Sequence, residues 1–509
     1  HHLLTIEYTT NPAWYAVQAL PYLMDYPYDC AEQTWNRFFA NTLASKMANS
    51  TPRIKAIFEA WKNQSPDALL SNLQKNPELK TALLEETPWV LQAKTEAEQK
   101  KQLGLLFDLV RMQSEAEAAL KKLGELQSPN GGFVWFAGGR DDRYMTQYIL
   151  TGIGHLQKLK ATTGKTADLQ RGMVQRALPY ADAAIAEEYK LLKKGKADLK
   201  TLPPSTFALQ YLYMRSFFTQ IPVRAEAKPA YDYYLAQAKA HWLKLPLMEQ
   251  GMAALVLHRQ QDKATATAIL ASLTENSITH PEMGMYWKAF NNPGWYWWQA
   301  PIESHALLME AYHEIESSDA RMDDLKTWLL RQKQTTNWKT TRATAEACYA
   351  LLMRGTDWLS TTKTATIQLG SYTISSAAQP VAEAGTGYFK HTIAAGKIDK
   401  SMANISVAIS APEAGNTAKK DNTATWGAIY WQYFQQLDKI TPAATNLQVK
   451  KTLYVQRNTD RGPMLDRLKE GMSLKTGDRV KVRMEITTDR AMEYVHLKDM
   501  RASCFEPVN

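Results

Sequence analysis

Between Asn36 and Arg354, apolar positions recur at three- and four-residue spacing. Examples are Leu103-Gly-Leu-Leu-Phe-Asp-Leu-Val110, Leu209-Gln-Tyr-Leu-Tyr-Met214, Met252-Ala-Ala-Leu-Val-Leu257 and Ala306-Leu-Leu-Met-Glu-Ala-Tyr312. That period predicts helices that each bury one face. Pro203-Pro204, Pro222, Pro246, Pro281 and Pro301 fall between these runs, where proline can start a helix but not sit inside one. The pattern predicts roughly ten or more helices joined by short loops. From about Thr361 the period changes to two. Thr364–Leu369, Ile405–Ile409, Thr452–Val455 and Val480–Ile486 read as strands separated by Gly, Pro, Asn and Asp clusters. Domain boundaries are expected near residues 355–362 and, more weakly, at Thr441-Pro442.

The helical part carries an internal repeat. Leu126–Phe136 precedes a helix from Tyr144 to Leu150, Asn291–Trp298 precedes Ile302–Leu308, and Leu330–Trp338 precedes Thr341–Ala347. Each copy is a helix end, a turn with an aromatic plug, and an Ala/Leu-rich helix. Trp295–Trp298 reads as such a plug rather than a sugar platform. Helix pairs that cannot bury their faces alone must stack into a solenoid or a closed ring. An α/α toroid fits.

Composition adds limits. The 509 residues are 45% hydrophobic and 22% charged, which is ordinary globular usage. At about 100–200 residues per domain the chain holds about two to four domains. No stretch approaches the ~20 consecutive apolar residues of a membrane span. The net charge of +9 comes from scattered Lys and Arg. The densest run, Lys190–Lys196, has no interleaved aromatics and reads as a solvated helix end, so no nucleic-acid partner is expected. Three cysteines exclude a disulfide framework. Cys348, in an Ala/Leu-rich helix, reads as a packed core thiol, and Cys504 receives no role. No cofactor or metal motif stands out. His1-His2 reads as a tag remnant, and the strand pattern stopping near Asn509 reads as a β domain cut before it closes, so a piece of a longer protein is expected.

The sharpest chemical feature is Tyr26-Pro-Tyr-Asp-Cys30-Ala-Glu-Gln33-Thr-Trp35, at the start of the first long helix. Three-residue spacing in a first helical turn puts Cys30 and Gln33 on one face. A thiolate facing a carboxamide can expel ammonia and close an internal thioester, an acyl group that lasts only where water is excluded. Trp14, Tyr15, Tyr22, Tyr26, Tyr28, Trp35, Phe38 and Phe39 cluster around the motif, and Tyr26, Tyr28 and Trp35 are the nearest candidates for shielding it. Glu32 is a candidate proton shuttle or helix cap.

Cys-x-Glu-Gln at residues 30–33 resembles the thioester motif of the α2-macroglobulin and complement family. Tyr26 to Thr34 is similar to the longer motif of its bacterial members, and Gln127–Phe136 to the family's Gln-x-x-x-Gly-Gly-Phe segment. The resemblance implies a multidomain α plus β chain: an α/α toroid thioester domain followed by a β-sandwich CUB-like domain and a truncated macroglobulin-like domain. Residues 1–12 would be a strand or linker from the CUB-like domain, 13–358 the thioester domain, 359–440 the CUB-like domain and 441–509 the start of the macroglobulin-like domain.

The implied function is that of a broad-spectrum endopeptidase inhibitor. It is not an enzyme but a single-turnover covalent trap, in which a target amine takes the acyl group of Gln33 and frees Cys30. Its implied partners are proteases, other amine nucleophiles and the remaining domains of the full-length protein. Its implied place is the bacterial envelope, periplasmic or lipid-anchored. Complement proteins carry an acyl-accepting histidine after the Gly-Phe loop, but none lies between Phe133 and Met145, and His155 is expected to pack or face solvent. Direct amine capture is therefore expected over ester formation. Two alternatives remain beside this reading. One is an adhesion or structural module with an inert or differently used thioester. The other is a terpenoid-cyclase-like enzyme, for which the only Asp pairs, Asp141-Asp142 and Asp323-Asp324, are poorly spaced.

Overall fold

The computed structural model describes residues 1–12, 14–24, 26, 28–52, 54–57, 109–195, 198–281, 283–291, 301–316, 319–333, 338, 340–353, 363–379, 385–410, 425–436, 439, 447–460, 462–488, 495, 497 and 499–508. The boundaries expected near 355–362 and 441–442, and the plug Trp295–Trp298, lie outside the described residues. The chain forms two compact units, His1–Tyr433 and Phe434–Asn509.

In the first unit a strand, β1 (Leu3–Thr9), leads into α1 (Trp14–Met24), α2 (Ala31–Ala48) and α3 (Leu109–Glu125). A short hairpin, β2 (Phe133–Val134) and β3 (Asp141–Asp142), precedes α4 (Arg143–Lys158) and α5 (Gly164–Lys194). Then come α6 (Thr206–Arg215), α7 (Lys228–His241), α8 (Leu247–Arg259) and α9 (Lys263–Glu275). A second hairpin, β4 (Ser277–His280) and β5 (Gly284–Trp287), is followed by α10 (Pro301–Ile315), α11 (Asp319–Arg331) and α12 (Thr341–Leu352).

The even-numbered helices form a circuit of contacts: α2 on α4, α4 on α6, α6 on α8, α8 on α10, α10 on α12, and α12 back on α2. Further helices pack on members of this circuit: α3 on α2, α9 on α8 and α11 on α10. Helix α10 is buried almost all round, every residue from Ile302 to Tyr312, with Glu303, Ser304, His305 and Glu310 among them. Trp35 and Gly152 bring α2 against α4, since a Cβ at Gly152 would lie 2.4 Å from the indole.

Asp142 caps α4 by accepting from Met145 N–H at 2.8 Å, which gives the first Asp pair a local structural role. Lys193 and Lys194 end α5 at its negative dipole end, and the run from Lys190 to Lys194 is exposed or nearly so. Cys348 is fully buried in α12.

After α12 the chain builds two three-stranded sheets. One is β7-β6-β9, from β6 (Thr364–Leu369), β7 (Tyr372–Ser375) and β9 (Ile405–Ser410). The other has order β10-β1-β8, with β8 (Phe389–Ala394) and β10 (Trp426–Gln432) antiparallel on either side of β1. Leu4, Ile6 and Tyr8 of β1 share one small core with Ile367, Leu369, Phe389 and Ile393. The first strand of the chain is therefore completed by strands almost four hundred residues later. In the second unit β11 (Leu447–Thr459) lies between β12 (Gly462–Arg467) and β13 (Arg479–Thr488), both antiparallel to it.

Candidate functional site

Cys30 is the N-cap of α2, with extended backbone (φ −74°, ψ 166°) and 6% exposure. Gln33 is the third helical residue, and its side chain turns back so that Oε1 accepts from the Cys30 N–H at 3.4 Å. This is a capping box with sulfur in the place of the usual hydroxyl. It brings the Gln33 carboxamide over the Cys30 residue. Glu32, between them, points one oxygen to Cys30, with Oε2 4.0 Å from Sγ. The other oxygen is held from two directions: Asn36 Nδ2 donates to Oε1 at 2.5 Å and Thr341 Oγ1 at 2.7 Å. Burial raises the Glu32 carboxyl above its ordinary range, against the pull of those two bonds and of Arg342. Burial also raises the Cys30 thiol, and the charge of Glu32 adds to it, while backbone N–H groups at the helix start pull it down.

Two straps close around this helix start. Arg37 on α2 donates to the Tyr26 carbonyl at 2.8 Å and to Asp29 Oδ1 at 3.2 Å, and Lys122 of α3 pairs with Asp29 at 2.6 Å. Those bonds pin Tyr26 and Asp29, and Tyr22, Tyr26 and Tyr28 meet ring to ring at 5.4 and 5.8 Å. On the other side the Ala31 N–H, one of the donors a helix start leaves without an internal partner, is taken by the Trp135 carbonyl at 2.9 Å. Trp135 stacks on Tyr144, and Tyr144 on Tyr148, whose hydroxyl donates to Asn36 Oδ1 at 2.7 Å.

The candidate shielding rings are thus unequal. Trp35 is buried, and Tyr26 sits between Tyr22 and Tyr28. Tyr28 is 66% exposed, so it stands at the rim of the motif rather than buried over it. The sequence reading missed Trp135, Tyr144, Tyr148, Asn36 and Thr341. Trp135 was legible as the aromatic plug of the first repeat. Thr341 opens the helix of the third, but no spacing links it to Glu32.

The loop that delivers Trp135 depends on its glycines. Gly131 has φ +94°, and a Cβ there would lie 1.9 Å from the Arg176 carbonyl oxygen. Gln127 braces the turn by donating to the Gly131 and Met173 carbonyls, both at 3.0 Å. Gly131→Ala is expected to cost about 1–3 kcal/mol of stability from strain and clash combined, read as a lower urea midpoint.

Deeper in the circuit lies a set of buried charges. Glu310, on α10, accepts from Arg259 Nη2 at 2.8 Å, Lys158 Nζ at 3.0 Å and the Tyr349 hydroxyl at 2.7 Å, and also from Tyr213. His155 is buried and stacked 3.7 Å above Tyr349, with Nε2 3.0 Å from the Tyr213 hydroxyl. Burial lowers its pKa to about 3, so it is a neutral packed ring.

Glu346, one turn after Arg342, is pushed up to about 7, first by burial and then by Glu303 and Glu310, against Arg342. A carboxyl raised in the fold binds more protons folded than unfolded, so its contribution is full below the ordinary value near 4.5 and is lost as pH rises through about 7. Glu346→Gln is therefore expected to gain stability relative to the parent as pH goes from 4.5 to 8. The gain should be about 1–3 kcal/mol, at ~1.4 kcal/mol per pKa unit and allowing for the solvent-facing part of the side chain. Urea midpoints of both proteins across that range check it.

Residues 447–509, which include all three strands of the second unit, match the family model described as the bacterial alpha-2-macroglobulin MG10 domain. No curated protein matches the chain. Among solved structures, it is similar to Escherichia coli alpha-2-macroglobulin in a crystal structure spanning domain MG7 to the C-terminus, at 13% identity and TM-score 0.41, covering 96% of this chain and 60% of that one. It is also similar to the native conformation of the E. coli protein seen by cryo-electron microscopy, at 13% identity, TM-score 0.41 and coverage of 96% and 24%. A third similar structure is Salmonella alpha-2-macroglobulin reacted with methylamine, at 14% identity, TM-score 0.40 and coverage of 96% and 25%. The chain therefore spans 60% or less of each of these relatives. What the match establishes is confined to residues 447–509, which are similar to the MG10 domain of bacterial alpha-2-macroglobulin.

Proposed function

We propose that Cys30 and Gln33 close an internal thioester and that the chain is the thioester-bearing part of an endopeptidase inhibitor that traps its targets covalently. The observation that carries this is the fold-back of the Gln33 carboxamide onto Cys30 at the start of α2, with Oε1 3.4 Å from the Cys30 nitrogen. Closure joins Sγ to Cδ of Gln33, and the thiol proton leaves with the amide nitrogen as ammonia. Glu32, 4.0 Å from Sγ and raised by burial, is placed to carry that proton. The straps at Tyr26 and Trp135 limit access of water to the acyl group.

Capture reverses the exchange. A primary amine adds to Cδ, the C–S bond breaks, the amine becomes an amide of Gln33, and Cys30 takes a proton as a free thiol. No second step releases the product, so one molecule captures one target. The circuit of even-numbered helices, the aromatic turns and the sheet that β1 completes support an α/α toroid followed by a CUB-like β sandwich and a macroglobulin-like domain. The envelope of a bacterium is the place this reading implies. His155, neutral and packed, is not placed as an acyl acceptor, which favours amines over hydroxyls.

The test is a denaturing gel of the protein challenged with a lysine-rich endopeptidase. The expected result is an adduct that survives boiling, maps to Gln33 and is absent after prior methylamine treatment. Absence of any adduct, from protein whose methylamine uptake establishes a live thioester, would overturn the trapping role. Labelling that favours glycerol over methylamine would overturn direct amine capture.

A further inference from the structure

The Glu32 carboxyl is held by a chain of bonds from three members of the helix circuit. Asn36, one turn after it on α2, donates from Nδ2 to Glu32 Oε1 at 2.5 Å. Thr341, the first residue of α12, donates from Oγ1 to the same oxygen at 2.7 Å. Behind Asn36, the Tyr148 hydroxyl of α4 donates to Asn36 Oδ1 at 2.7 Å. The other carboxyl oxygen, Oε2, faces Cys30 Sγ at 4.0 Å. Asn36, Thr341 and Tyr148 are all buried.

Each bond fixes the direction of the next. A carboxamide has one donor end and one acceptor end. Because Tyr148 donates to Oδ1, the NH₂ end of Asn36 is the end turned to Glu32. A carboxylate oxygen offers about two lone-pair sites, so the two donors fill Oε1. A proton placed on Oε1 would displace one of them and leave a buried donor unsatisfied, which is costly. Oε2, turned to the thiol, is the oxygen left for a proton. The burial that raises the Glu32 carboxyl favours such a proton.

We propose that Asn36, Thr341 and Tyr148 are positioning residues that make Oε2 the one oxygen of Glu32 to exchange a proton with Cys30. The inference rests on the thioester reading above and adds how its proton transfer is aimed. In closure the Sγ proton passes to Oε2 and Sγ bonds to Cδ of Gln33. The Cδ–N bond breaks, and the departing nitrogen takes the proton from Oε2 as ammonia. Glu32 ends as the carboxylate it began as. Thr341 lies 309 residues beyond Glu32, so the clamp is complete only once α12 has packed on α2.

The test measures the rate of closure in the full chain. The protein is made by cell-free synthesis, translation is stopped, and labelled methylamine is added to aliquots at successive times. Uptake at Gln33 per folded molecule then reports the closed fraction. Thr341→Val, which keeps the shape and removes the donor, should close about tenfold more slowly, as loss of a hydrogen bond to a charged group implies. Thr341→Ser, which restores the hydroxyl, should recover most of the parent rate. Tyr148→Phe, a conservative change on another helix, frees the Asn36 amide to turn over and should also slow closure. In a Glu32→Gln background Thr341→Val should add no further slowing, because both changes act through one carboxyl. A part in packing alone would slow both backgrounds alike. A parent rate in both Thr341→Val and Tyr148→Phe, no recovery in Thr341→Ser, or equal slowing in the two backgrounds would overturn the positioning role and leave the thioester standing. A parent chain that takes up no methylamine at any time would overturn the thioester reading and this inference with it.

Discussion

Cys30→Ala is expected to abolish amine uptake at Gln33 altogether while leaving the helices folded. The loss follows from chemistry. Without sulfur the Gln33 carboxamide is an ordinary amide, and its carbon does not accept an amine at neutral pH. The fold should survive because Cys30 is a small cap residue, and truncating it removes one buried sulfur, worth about 1 kcal/mol. Labelled methylamine with peptide mapping reads the first effect and circular dichroism the second. Glu32→Gln makes a graded partner to this test. It keeps the bonds from Asn36 and Thr341 within reach but removes the proton carrier, so thioester closure should slow by roughly 10²–10⁴-fold, read as a smaller amine-reactive fraction, rather than vanish. Unchanged uptake in Glu32→Gln would confine that residue to a structural part.

Glu310→Ala is expected to have the largest effect on stability. Its carboxylate is fully buried and accepts from Arg259, Lys158, Tyr213 and Tyr349. Burial alone would raise its pKa, but Arg259 and Lys158 outweigh that and hold it below the usual carboxylate range. Removing one partner of such a set leaves buried cations without compensation, which costs about 3–5 kcal/mol. Urea unfolding followed by circular dichroism should show a midpoint far below the parent's. Glu310→Gln, which keeps the shape and part of the hydrogen bonding, should fall between the two. A loss under about 1 kcal/mol in Glu310→Ala would mean that solvent or a rearranged Glu314 replaces the charge, since Glu314 also pairs with Arg259 at 2.6 Å.

How far the sequence carries this account depends on the range of each interaction. Cys30, Glu32 and Gln33 lie within one helical turn, so their meeting was legible from spacing alone. Asn36 could have been read as the next residue on that face. Thr341 could not, because its contact with Glu32 crosses more than three hundred residues. The Glu310 cluster is illegible for the same reason.

Helix α1 escaped the periodicity reading because ten of its eleven residues are buried, Tyr22 excepted, so it shows no polar face, and Pro21 within it reads as a break. Pro179 inside α5 is a similar exception to the rule that placed the other prolines between helices. The alternation of β6 was plain, with Ala365, Ile367 and Leu369 turned inward. Strand β10 was missed because nearly all of its residues are half-buried and no alternation results. Tyr28 shows the limit of composition: aromatic residues near a motif in sequence need not cover it in space.

The most direct measurement of the thioester is the intact mass of the native protein and its count of free thiols, before and after methylamine. The account predicts a native mass lower by one ammonia than the sequence requires, then one methylamine added at Gln33 and one new thiol at Cys30. Full sequence mass with Cys30 already free and no amine uptake, found also in the longest folded form of the protein, would contradict it.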